Sequence, residues 1–147
     1  MTPPTIKSSD LPADIRQRFG LGVAKATRAG GKFGVAAAER RTYRGVLYAS
    51  RAEMARAEEL DLMLMAGELR GWTRQVPFYL APPLRYVVDF LVFHRSGRAW
   101  AEDVKGVETP AFRANARLWR EHGPCPLEIR KPGGHSRTII PRSMEGK

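Results

Sequence analysis

Three residues in the second half of the chain have the types and spacing that metal-dependent hydrolysis needs. Asp89 lies inside the apolar run RYVVDFLVF at 85–93, which reads as a strand buried on both faces. An ionised carboxylate in such a strand is costly unless a cation or several donors compensate it. Asp103 and Lys105 follow in WAEDVKG at 100–106. The two-residue period of a strand puts them on one face, roughly 6 to 7 Å apart along the chain. Two carboxylates and an ammonium are the groups with which a protein holds a hard divalent cation and offsets charge on a phosphoryl group.

Whether the two aspartates meet depends on the turn between their strands. A two-residue loop at Ser96 and Gly97 would pair Asp89 with Val104 and leave the carboxylates on opposite faces. A three-residue loop of Arg95, Ser96 and left-handed Gly97 pairs His94 with Arg98 and sets Asp89 opposite Asp103. The second register is expected. It brings two carboxylates to a Cβ separation of ~5 Å, where they repel unless a cation lies between them. Magnesium is the expected ion, with manganese as a substitute.

The elements that must position these residues can be read outward from them. Ser50 and Glu53 form a capping box that starts a helix running to Ala66, with Gly67 as its stop. Strands are expected over 69–80, 84–94 and 98–105, separated by Pro82-Pro83 and Ser96-Gly97. Thr109 caps a second helix from Pro110 to about His122, and 127–131 reads as a last strand. Before all of these, 42–48 alternates like a strand, with a turn or bulge at Gly45. The order predicts an α/β fold in the α+β sense: a sandwich whose central mixed sheet of about four to five strands is flanked by helices. Residues 1–41 are expected as a flexible basic arm with a short helix over 10–19, 42–132 as the folded domain, and 133–147 as a polar basic tail.

Charge narrows the partners. The net charge of +10 and pI near 10.5 attract polyanions. The first 52 residues hold 10 Lys+Arg against 3 Asp+Glu, residues 107–147 hold 8 against 4, and 53–106 hold 7 against 8, so the acids concentrate in the middle. Basic flanks that hold a phosphate backbone around a carboxylate centre suit phosphodiester cleavage, although basic tails on an ordinary globular core would give the same pattern. No membrane association is expected, because the longest apolar stretch, 86–93, contains Asp89 and falls far short of the ~20 residues of a spanning helix. The N-terminus lacks the apolar core of a secretory leader, so a cytoplasmic location is expected. The lone Cys125 can form neither an internal disulfide nor a Cys-based zinc site. His94, His122 and His135 have no metal-ligand spacing, and no Gly-rich phosphate loop is present.

Four segments together, SRAE at 50–53, QVP at 75–77 after Gly67, YVVDF at 86–90 and EDVKG at 102–106, resemble the PD-(D/E)XK nuclease superfamily. From about residue 43 to 131 the chain looks like a group of small phage-encoded proteins with this nuclease signature. One departure is Val88, where the superfamily nominally has proline. The resemblance implies a restriction-endonuclease-like fold and magnesium-dependent hydrolysis of DNA. Asp89 and Asp103 would ligate the metal, joined by the carbonyl of Val104. Lys105 would orient or deprotonate the attacking water, and Glu53 would reach a second metal site or a water of the first.

Each assignment has a plainer counterpart. The capping box explains Glu53 without catalysis. Gln75 matches a glutamine of the family, yet equally reads as a partner for backbone groups between strands. Glu102 should face away from Asp103 as a neighbouring or solvated acid. Arg113, Arg117 and Arg120 form one stripe on the second helix. With Arg51 and Lys32 they are expected to contact phosphates, although a solvated face is the default for such stripes. The resemblance extends to branched DNA, such as Holliday junctions in phage replication or recombination inside a bacterial host. That role would require a homodimer with two matched sites. The alternative is a non-catalytic nucleic-acid-binding module that retains the nuclease fold. A basic structural protein bound through its tails would leave Asp89 unexplained. DNA against RNA, linear against branched substrate, and nicking against double-strand cutting all stay open.

Overall fold

The computed structural model describes residues 36–134 and 136–146. Residues 1–35 of the basic arm expected over 1–41, with its short helix and Lys32, lie outside the described residues. A 3-10 turn, Ala38–Arg41, leads into a small hairpin of β1 (Thr42–Tyr43) and β2 (Val46–Leu47). Its turn residues Arg44 and Gly45 both have positive φ, 48° and 75°, as a two-residue primed turn requires. Helix α1 (Arg51–Met65) starts where the Ser50 hydroxyl accepts the Glu53 N–H at 3.1 Å. Gly67 follows its end at φ 76°, the left-handed conformation that glycine adopts without steric cost.

Next come β3 (Leu69–Ala81), β4 (Leu84–His94), β5 (Ala99–Val104), α2 (Pro110–His122), β6 (Leu127–Arg130) and β7 (Ser136–Ile139). Strands β3 to β7 form one five-stranded sheet in that spatial order, antiparallel throughout except for the parallel pair β5 and β6. Helix α2 is the crossover that a parallel pair requires. The architecture is the expected α+β sandwich, a mixed central sheet flanked by two helices.

The end of the chain departs from expectation. Residues 133–147, predicted as a polar tail, instead contribute β7, which pairs with β6 from Leu127↔Ile139 to Arg130↔Ser136, and a 3-10 turn at Arg142–Met144. The side chains of Ser136, Arg137 and Thr138 are exposed and only Ile139 is half-buried. An edge strand held by backbone pairing shows no apolar alternation, so its sequence looks like a tail.

Each helix covers its own core. Phe112, Ala116 and Trp119 of α2 pack on Tyr86, Val88, Ala101, Leu127 and Ile129. Ala57 and Leu60 of α1 pack on Tyr48, Leu69, Phe90 and Val92. Full burial of a large apolar side chain contributes about 1.5–3 kcal/mol, so both helices are firmly seated. Val88 and Phe90 are two residues apart yet enter opposite cores, against the period of a regular strand. In β3, Val76 packs with the α2 side while Arg74 lies over Tyr48 on the α1 side. Both strands slip phase at Gln75 and Asp89, the pair missing between Arg74↔Phe90 and Val76↔Val88, and Gln75 has φ 54°. Non-glycine residues held left-handed cluster at functional sites, at a cost of about 1–3 kcal/mol each.

Candidate active site

The β4–β5 turn has the register that brings the aspartates together. The His94 N–H donates to the Arg98 carbonyl at 2.8 Å, Gly97 has φ 93°, and pairing runs from Phe93↔Ala99 to Phe90↔Glu102. The next positions along the two strands are Asp89 and Asp103. There the backbone ladder ends: the Val104 N–H donates to Asp89 Oδ2 at 2.7 Å. The strands part at this point, and the Asp89 carboxylate occupies the opening.

Asp103 is fully buried. The Tyr86 hydroxyl donates to its Oδ2, and Lys105 Nζ lies 2.9 Å from its Oδ1. That ammonium is the group that faces Oδ1, which no hydroxyl or backbone N–H among the described residues reaches. Burial and the neighbouring Asp103 carboxyl push Asp89 up to about 8, against the opposing Val104 N–H. Burial and the same aspartate also raise the Tyr86 phenol. Burial would lower Lys105, but Asp103 and Asp89 outweigh it and hold the ammonium charged. The Gln75 amide reaches Asp89 Oδ1 at 3.4 Å. Glu53, buried near the start of α1, is raised by burial and by the charge of Asp103, and lowered by Arg74 and Lys105. It is therefore a neighbour of the pair.

These residues fit an oxygen-seeking divalent cation. The donors are carboxylate oxygens set side by side, and burial together with the Asp103 carboxyl holds a proton on Asp89 well above the usual carboxylate range. Asp89 and Asp103 would hold the ion. Among the described residues no three Asp, Glu, His or Cys side chains converge on one point, so Glu53 stands beside the pair rather than completing it. Val104, expected through its carbonyl, meets Asp89 through its N–H.

Glu102 does face away from Asp103, but it is fully buried rather than solvated. Arg56 grips it with Nε and Nη2, both at 2.7 Å, Arg130 Nε lies at 2.9 Å, and the Trp100 indole donates at 2.8 Å. Burial alone would raise this carboxyl, yet the Arg56 guanidinium wins and lowers it. Arg113, Arg117 and Arg120 are exposed on α2 and line a groove of about 570 Å³ with Arg137, Glu108 and Glu145. Arg51 is exposed at the first position of α1. Sequence reasoning missed Tyr86 and Arg56. A phenol in a buried strand and an arginine on the core side of a helix each need a polar partner, and that requirement was the available signal.

No helix among the described residues is long and apolar enough to cross a membrane. No curated protein and no solved structure matches the chain. A family model described as "Protein of unknown function (DUF1064)" matches residues 35–125, a span that includes Glu53, Gln75, Asp89, Asp103 and Lys105 but stops before β6. The chain belongs to the DUF1064 family.

Proposed function

We propose that this chain is a magnesium-dependent endonuclease of the PD-(D/E)XK type that hydrolyses DNA phosphodiester bonds. The observation that carries the reading is the buried Asp89–Asp103 pair, set side by side where β4 and β5 part, with Lys105 2.9 Å from Asp103. A divalent cation held there would lower the pKa of its water and stabilise charge developing on phosphoryl oxygens. The chain's own residues prepare the site. Tyr86 fixes the rotamer of Asp103, while Gln75 and the Val104 N–H fix Asp89. Lys105 keeps its proton, which favours orienting water and offsetting phosphate charge over acting as a base. The basic surface and the α2 arginines supply attraction for a phosphate backbone. Branched DNA in phage recombination, a homodimer and a cytoplasmic setting belong to the same reading through the resemblance.

A second reading, a nucleic-acid-binding module without turnover, draws on Glu53 standing apart from the pair and on Lys105 already neutralising Asp103. Cleavage of labelled linear, single-stranded, forked and four-way-junction DNA with magnesium or manganese separates the two. The nuclease reading expects wild type to cut, and Asp103→Ala and Lys105→Ala to bind without cutting. Wild type that binds but never cuts, or variants that cut normally, would leave only the binding module.

A further inference from the structure

Most cations around the carboxylates are engaged by acids. Lys105 is held by Asp103, Arg56 by Glu102 and Glu59, Arg130 by Glu102 and Glu128, and Lys131 lies 3.8 Å from Glu108. Arg74 differs. It lies on β3 opposite Phe90, one residue before Gln75 and so one position from Asp89 along each strand. It is half-buried, and its charge reaches Glu53 and lowers that carboxyl. Among the described residues its guanidinium has no carboxylate within 4 Å and no hydrogen-bond partner, while its backbone pairs with Phe90. What holds it is the ring of Tyr48, with the guanidinium carbon 4.5 Å from the ring centroid, and Tyr48 is itself buried in the α1 core.

A guanidinium lying on an aromatic face is oriented by a contact that uses none of its N–H groups. Its donors stay available in a planar fork that matches two oxygens of a phosphate. We infer that Arg74, braced on Tyr48, is a binding site for a backbone phosphate of the nucleic acid whose neighbouring phosphodiester lies at Asp89 and Asp103. The assignment rests on the nuclease reading above for its substrate class. It adds an anchor on the β3 side of the site, separate from the arginine stripe on α2. Arg74 positions the strand and is not a catalytic residue.

Fluorescence anisotropy with labelled DNA and RNA duplexes, in EDTA and again with calcium, over a salt series, tests it. The proteins are wild type, Arg74→Ala, Arg74→Lys and, as a control, Arg98→Ala, an exposed residue at the far β4–β5 turn. Loss of a charge-assisted phosphate contact predicts that Arg74→Ala binds about tenfold more weakly. The slope of log affinity against log salt should also become shallower by about 1. Arg74→Lys, which folds with the same charge, should keep the wild-type slope and lose several-fold in affinity for want of the fork. Arg98→Ala should match wild type. If Arg74→Ala and wild type show equal affinity and slope, the phosphate site is overturned while nucleic-acid binding stands. If wild type binds neither duplex, the site and the functional reading fall together.

Discussion

Glu102 and Asp103 are neighbours on β5, both fully buried, and different groups surround their carboxylates. On the α1 side Glu102 receives Arg56, Arg130 and the Trp100 indole, and its carboxyl is held below the ordinary range. Asp103 accepts from the Tyr86 hydroxyl, lies 2.9 Å from the Lys105 ammonium, and helps drive Asp89 upward. Burial acts on both, so burial is not the difference. The first carboxylate is matched by two guanidinium groups and an indole, so replacing it removes structural contacts. The second lies beside another carboxyl with one ammonium between them, and under the proposed function that is where a divalent cation would bind.

The largest expected effect breaks the Glu102 side. Glu102→Ala leaves Arg56 buried without its main partner, and removal of one member of a buried ion pair costs about 3–5 kcal/mol. Urea denaturation should show the loss as a lowered midpoint with little change in slope. An unchanged midpoint would mean that the Arg56 pair does not act as a structural unit.

Next comes the Asp103 side. Manganese at about 100 times its dissociation constant should stabilise wild type by about 2.7 kcal/mol. A thermal shift should register this in wild type and not in Asp103→Asn. Equal shifts in both would locate the ion elsewhere.

A smaller effect is the opposite response of the two sides to pH. Asp89 keeps its proton to about 8 when folded but loses it near 3.8 when unfolded. Its contribution is present in acid and disappears as pH rises between those values, by at most about 1.4 kcal/mol per pH unit for one proton. Glu102, held low, contributes above the ordinary glutamate value and loses that contribution as acid takes the pH down through its folded value. Melting curves of the metal-free protein should therefore show Asp89→Asn matching or exceeding wild type by a few degrees at pH 8.5, with a flatter profile from pH 5 to 8.5. A wild type whose stability rises through that window would contradict the raised Asp89 carboxyl.

The smallest effect concerns the phase slip. Gln75→Gly relieves a left-handed side-chain residue and removes the amide beside Asp89, so stability should move by less than about 1 kcal/mol while cleavage falls. Cleavage at the wild-type rate would reduce Gln75 to a bulge residue.

Much of this arrangement was legible in advance because local rules govern it. The Ser50 cap, Gly67 stop, Thr109 cap and Pro110 start set both helices within a residue or two. The left-handed Gly97 set a three-residue turn, and through it the register that puts Asp89 beside Asp103. Strand β7 was not legible, since its exposed side chains resemble a tail and only backbone pairing with β6 defines it.

By itself, then, the sequence determined the helices, the three-strand meander and the alignment of Asp89 with Asp103 and Lys105, all of which follow from interactions within a few residues or across one turn. Tertiary structure alone decided which groups surround each carboxylate. Arg56 is 46 residues from Glu102, and Tyr86 is 17 from Asp103. The phase slip at Gln75 and Asp89 needs two strands to distort together. Electrostatic compensation depends on distance through the folded core, and no spacing along the chain encodes it.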